Sequence, residues 1–218
     1  MSAYFTLTLD TTAPTSGSIS LPDYASSTSV TATISATGAT YMKIYGDVAA
    51  SASSSTAISE SDATWVAYAT SANIYLTTGD ATKTVYIKFK DDVGNVSSAA
   101  SDTCVLDTSA PEVTITGPDV ATISKVSGYN VSTFSFSADE AFVQWTVRVV
   151  PSSSSDHTAG TEIPTTGGST NTSGSTATAA STAVTVKIYG ADFETAAGSE
   201  GAHVVKVFVK DANGNWSV

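Results

Sequence analysis

Between Val85 and Ser97 the chain reads V-Y-I-K-F-K-D-D-V-G-N-V-S, and between Val205 and Ser217 it reads V-K-V-F-V-K-D-A-N-G-N-W-S. Each stretch opens with apolar residues at every second position. They are Val85, Ile87 and Phe89 in one, and Val205, Val207 and Val209 in the other. A period of two places such side chains on one face of a β-strand. Lys-Asp and a turn ending in Gly-Asn come next, and then the start of another strand. A chain that writes this hairpin twice is constrained to fold as two copies of one β unit.

Other markers repeat in the same order. L-D-T-T-A-P begins at Leu9, and L-D-T-S-A-P begins at Leu106, 97 residues later. The Lys-Asp turn recurs from Lys90 to Lys210, a spacing of 120, so the second copy is longer by 23 residues. The strands between correspond too. Val30, Ala32, Ile34 and Ala36 share a face in the first copy, as do Phe134, Phe136 and Ala138 in the second. Tyr41 to Tyr45 aligns with Phe142 to Thr146, setting Met42 and Ile44 against Val143 and Trp145.

Several short alternating strands between turn signals, within about a hundred residues, predict an antiparallel β-sandwich. The expected fold class is all-β, with two tandem sandwich domains. The first spans 9–105 and the second 106–218, after an N-terminal segment 1–8. The proline of each D-T-x-A-P suits a linker or the start of an edge strand, because it cannot donate to an inner ladder. The extra length falls at 151–183, where Ser and Thr are 17 of 33 residues and large apolar side chains are nearly absent. This composition reads as a long, mobile insertion between strands. One short helical turn is expected within Ser59 to Tyr68.

Composition narrows the function classes. Charged residues are only 13% of the chain, and the net charge is −11. The acidic balance opposes nucleic-acid binding and gives no attraction to an anionic membrane. Cys104 is the single cysteine, so no intrachain disulfide can form; it reads as a small core residue. No apolar run reaches the length of a membrane span, and the start M-S-A-Y-F-T-L-T-L-D lacks the basic and apolar regions of a signal peptide.

The D-T-T-A-P, G-D-A-T-K-T-V-Y-I-K-F-K-D-D-V-G-N-V-S and L-D-T-S-A-P motifs together resemble the bacterial Ig-like repeats found in tandem in phage structural proteins and large bacterial surface proteins. The resemblance covers nearly the whole chain and is closest in the first copy. It implies a seven-strand-type sandwich with a structural or adhesive role, and it carries no catalytic residues. It implies a decoration protein of a phage capsid or tail, located on the virion. The alternatives are a stalk of a bacterial surface adhesin or S-layer-like filament on the cell surface, or a glycan-binding module. Expected partners are other virion proteins or copies of the chain itself, and host surface glycans, with no nucleic acid and no membrane insertion.

No motif names a reaction. The histidines are His157, in the Ser/Thr-rich stretch, and His203, at the head of a valine-rich strand. No nucleophile elbow, H-E-x-x-H, P-loop or dinucleotide fingerprint is present. The expectation is a protein that is not an enzyme. No Cys/His set has zinc spacing, and Asp91 to Asn95 lacks the ligand spacing of an EF-hand. Sandwich topology would gather Asp107, Asp139, Glu140 and Asp211 near Asp80, a set of oxygen ligands suited to calcium. Turn chemistry alone also explains these residues, since Asp and Asn bond their own backbone in D-x-x-G-N. A melting temperature indifferent to EDTA would decide for the turn. Trp65 with Tyr68, or Tyr41 with Tyr45, offers aromatic faces for a glycan, with ordinary cross-strand packing as the rival reading.

The two hairpins continue differently. After Asn95 the sequence runs V-S-S-A-A-S-D-T-C-V-L, enough for a last strand, whereas after Asn215 it has Trp216, Ser217 and Val218. An open ladder along Val204, Val205, Lys206, Val207, Phe208 and Val209 is expected to pair with another chain, unless further sequence closes it. That edge, with Trp216, and the N-terminal Tyr4 and Phe5 are the expected docking surfaces.

Overall fold

The computed structural model describes residues 4–218; residues 1–3 of the N-terminal segment lie outside the described residues. The chain forms two compact units, one running to Thr108 and the other from Ser109 to Val218.

The described residues of the first unit form nine strands. They are β1 (Thr15–Ser20), β2 (Tyr24–Ala25), β3 (Ser29–Thr37), β4 (Tyr41–Gly46), β5 (Val48–Ala49), β6 (Val66–Ala67), β7 (Ser71–Leu76), β8 (Ala81–Lys90) and β9 (Ala100–Leu106). One sheet has the order β1-β3-β7-β5 and the other β2-β9-β8-β4-β6. All pairings are antiparallel except β2 with β9. Alternation decides which side chains turn inward. Val30, Ala32 and Ile34 of β3 are buried, as are Val85, Ile87 and Phe89 of β8. They meet Cys104 and Leu106 of β9 in one core. Pro14 is buried just before β1, the edge strand, where its missing N–H costs no ladder bond. The stretch Ser59 to Tyr68 contains turns and β6 but no helix. Its hydroxyl and carboxylate groups bond locally, Ser59 Oγ to Asp62 at 2.6 Å, and hold a turn instead.

The second unit repeats the frame with changes. It contains β10 (Val113–Thr116), β11 (Val131–Ala138), β12 (Gln144–Val150), β13 (Thr161–Glu162), β14 (Ser173–Gly174), β15 (Val184–Tyr189), α1 (Gly190–Ala197) and β16 (Val204–Lys210). One sheet is β10-β11-β15; in the other, β12 pairs β16 on one side and β13 and β14 on the other. Phe136, Phe142 and Trp145 form the aromatic centre of its core, with centroids 5.9–6.3 Å apart. The ladder register corrects the sequence alignment: Tyr41 faces Lys90 and Gln144 faces Lys210, so Met42 and Ile44 correspond to Trp145 and Val147, not to Val143 and Trp145. Phe142 precedes β12 and is fully buried.

The 151–183 stretch is not a free loop. Ile163 is fully buried in the core and its N–H donates to Val147 O at 3.1 Å. Arg148, on the outward face of β12, donates from Nε to Ala159 O at 2.8 Å and from Nη2 to Gly160 O at 2.9 Å. Lys206, on the same face of β16, donates to Ser154 O. His157 stacks on Trp216 at 4.2 Å. The part from Ser154 to Gly160 is therefore a strap over the outer face of this sheet, while β13 and β14 line its edge beside β12. Three consecutive residues of β12, Trp145, Thr146 and Val147, are accordingly buried, so the two-residue alternation fails there.

Helix α1 has no counterpart among the sequence expectations. It lacks a side-chain N-cap at Tyr189 and ends on Gly198 in the left-handed region, whose N–H bonds Glu194 O. Asp192 in its first turn is buried and accepts hydrogen bonds from Gly167 N at 2.6 Å and Ser169 N at 2.9 Å. Burial opposes its ionisation, but the bonds from Ser169, Gly167 and Thr166 prevail and lower its pKa. This carboxylate clamps the 151–183 stretch to the helix.

Candidate functional site

The twin turns come first, because their acids are candidate ligands. Asp91 Oδ1 accepts from the N–H groups of Val93, Gly94 and Asn95 at 2.7–3.1 Å, and Oδ2 accepts from Asn95 Nδ2 at 2.8 Å. Asp211 accepts from Gly214 N at 2.6 Å, Asn215 N at 2.8 Å and Asn215 Nδ2 at 2.7 Å. Gly94 and Gly214 have φ of 103° and 104°, a region glycine enters without strain. Ser97 and Ser217 each close the turn on the preceding strand, bonding Phe89 and Val209. Burial acts to raise the Asp91 pKa, but the hydrogen bonds from Asn95, Gly94 and Val93 outweigh it and lower the value.

Of the other candidate acids, Asp80 and Asp139 accept hydrogen bonds within their own units. In the first unit, Asp80 accepts from Thr108 N at 2.9 Å and Thr108 Oγ1 at 2.8 Å, and Asp107 N donates to Ala25 O. In the second, Asp139 accepts from Glu112 N at 2.7 Å, and Glu140 is half-buried beside it in sequence.

The outward face of β4 and β8 carries the aromatic candidates of the first unit. Tyr45 stacks on Tyr86 at 5.3 Å. Lys43 and Lys90 lie over the Trp65 ring at 5.2 and 4.8 Å, and Lys90 also lies over Tyr41 at 4.9 Å. Glu60 ties the row together, with Lys88 at 2.7 Å and Lys43 at 3.5 Å. The Lys88 hydrogen bond holds the Glu60 carboxyl below its ordinary value, and Glu60 in turn raises Lys88. Burial, then Glu60, raises the Tyr45 hydroxyl. Tyr68 does not join this face. Its ring packs edge-on to Phe89 at 6.0 Å and its hydroxyl accepts from Ala36 N at 3.2 Å. Tyr41 and Trp65 thus form a platform flanked by cations, while Tyr68 belongs to the core edge.

The docking candidates on β16 divide sharply. Val207, Phe208 and Val209 are buried, so their side chains offer no surface. What the strand presents on the side away from β12 is backbone. There, Val205 and Val207 have no strand partner among the described residues. Along this side run two cavities that share Ile115 and Val205 in their linings. One, of about 280 Å³, is lined in part by Ile115, Phe134, Ile188, Phe193, His203 and Val205. The other, of about 410 Å³, lies between β10 and β16 and includes Pro111, Val113, Ile115, Val205 and Val207. Trp216 is half-buried under His157. Tyr4 and Phe5 are 93% and 86% exposed. Sequence reasoning missed the cavity lining from β10, α1 and His203; the apolar residues of V-T-I-T, Val113 to Thr116, were the available signal.

No protein-family model matches the chain, and no curated protein matches it. Among solved structures, the fibronectin(III)-like modules of CbhA from Clostridium thermocellum align with 92% of this chain and 89% of theirs, at 12% identity and a TM-score of 0.43. A chitinase from Bacillus thuringiensis aligns with 79% of this chain, at 16% identity and a TM-score of 0.29, and this chain spans 25% of that protein. The sandwich assignment rests on the strand pairing above. No helix among the described residues is long and apolar enough to cross a membrane.

Proposed function

We propose that this chain is a non-enzymatic structural protein of a phage particle, a pair of Ig-like sandwich units that decorates capsid or tail through strand-edge assembly. The observation that carries the reading is the edge of β16, where backbone groups of Val205 and Val207 run beside a slot that includes Pro111, Val113 and Ile115. Such an edge takes an added strand through main-chain hydrogen bonds and alternate side chains. The acidic turns serve folding, and the resemblance of the repeats to Ig-like modules supports the structural role. Mass spectrometry of purified particles should find this polypeptide in stoichiometric amounts with capsid or tail proteins. Its absence from particles would remove the virion reading in favour of a bacterial surface stalk.

The Tyr41–Trp65 platform supports a second activity, weak adhesion to host surface glycans. Aromatic faces stack on sugar rings, and flanking lysines reach hydroxyl or acidic groups.

A further inference from the structure

The chain has 9 lysine and arginine residues against 20 acids, yet three of its lysines meet on one face. Lys43, Lys88 and Lys90 project outward from β4 and β8. The ladder sets Tyr41 opposite Lys90, Lys43 opposite Lys88 and Tyr45 opposite Tyr86. Two lysines directly opposite each other repel, and such a pair weakens a sheet. The frame does not demand it. At the matching places of the second unit, Thr146 stands opposite Phe208, and both are uncharged and buried.

A single carboxylate serves this cluster. Glu60 pairs with Lys88 and Lys43, and its backbone carbonyl accepts from Lys43 Nζ at 3.0 Å. Lys90 has no ion pair among the described residues, and its ammonium lies over the Tyr41 and Trp65 rings. The acids nearest in sequence are engaged elsewhere. Asp62 accepts from Ser59 Oγ, and Asp91 gathers the N–H groups of its own turn. The face therefore sets three ammonium groups against one carboxylate, in a chain whose net charge is −11. The Lys43 and Lys88 side chains are only 12% and 24% exposed, so solvent screens this excess weakly. An anion supplied from outside would relieve it.

We propose that the Tyr41–Trp65 platform takes a carboxylated sugar, a uronate or sialate residue, with its ring against these aromatic side chains and its carboxylate paired to Lys90. This rests on the glycan reading above and names its ligand class. Stacking alone accepts any sugar with an apolar face. The ammonium cluster adds the selection: an acidic sugar pairs the excess charge, whereas a neutral one leaves the lysines repelling each other.

The test is an array that carries uronate and sialate glycans beside the same glycans with each carboxyl reduced to an alcohol. The full chain should bind the acidic forms and bind the reduced ones about tenfold or more weakly, the scale of one charge-assisted hydrogen bond. The uronate and sialate arms show which acid it takes. Added salt should weaken the binding. Lys90→Gln should lose the preference for acid, and Lys90→Arg should keep it, with circular dichroism confirming that both variants fold. Lys187→Gln removes the same charge from an exposed site on the second unit and should leave the preference unchanged. Equal binding to acidic and reduced glycans would overturn the proposal and leave the glycan reading standing. Binding to none would remove both. A preference that survives Lys90→Gln, or that falls as far with Lys187→Gln, would overturn the assignment to this face.

Discussion

In the first unit, Val85 and Ile87 pair with Asp102 and Ala100 of β9; in the second, Val205 and Val207 hold the same places on β16 beside a cavity that includes Val113 and Ile115 of β10. The turns that lead away from these strands match bond for bond, from the aspartate that gathers N–H groups to the serine that closes on the strand. The same local instruction therefore leads out of two sheets whose other neighbours differ, β4 and β9 beside β8 and β12 beside β16. The units differ a second time on the outer face of that sheet. In the first it carries Tyr41, Lys43 and Tyr45; in the second a strap covers it.

The largest expected effect tests that strap. Ile163→Ala should destabilise the protein by about 2–5 kcal/mol in urea denaturation, the usual cost of truncating a fully buried isoleucine. A loss within about 0.5 kcal/mol would mean that the strap is only a surface loop and that the two units share one plan after all.

The next effect probes what the units share. Asp91→Ala and Asp211→Ala each strip a turn of its acceptor, and the two should lower the melting temperature by similar amounts. The acid limb sharpens this. Asp91 and Asp192 have folded pKa values below their unfolded ones, so the native state binds fewer protons. Their contribution is complete above the unfolded value and fades as pH falls through the folded one. The melting temperature should drop below about pH 4, and Asp91→Asn should flatten part of that slope. An unchanged slope would show that the turn carboxylate is not what acid removes.

The smallest effect on stability is expected from Trp65→Ala, about 1 kcal/mol or less, because the ring meets lysine ammonium groups on a half-exposed face. The same variant should lose binding on a glycan array if the first unit's open face adheres to sugars. Unaltered binding would assign that platform to packing alone.

The hairpin, the inward faces of β3, β8 and β11 and the turn roles of the aspartates were legible because each is a local pattern. Period two and D-x-x-G-N-x-S act over a few residues. What resisted reading depends on distant partners. The strap looked loose because Ser and Thr carry little apolar area, yet one isoleucine and the backbone bonds of Arg148 and Asp192 fix it. Helix α1 has eight residues and no side-chain cap, so its fold comes from packing rather than from a local signal. Phe142 escaped because alternation has no authority outside a strand. The cavities beside β16 take their lining from β10 and α1, which no local pattern ties to that strand.

The strap has a consequence for how the molecule can diversify. A changed residue at Tyr41 or Tyr86 meets water, so the outer sheet of the first unit can explore new chemistry by single substitutions. Thr146 and Phe208, at the matching face of the second unit, are enclosed, and a change there must be accommodated by the strap as well. New recognition on that sheet is open to variation in the first unit, whereas the second is held to its present sequence by its own cover.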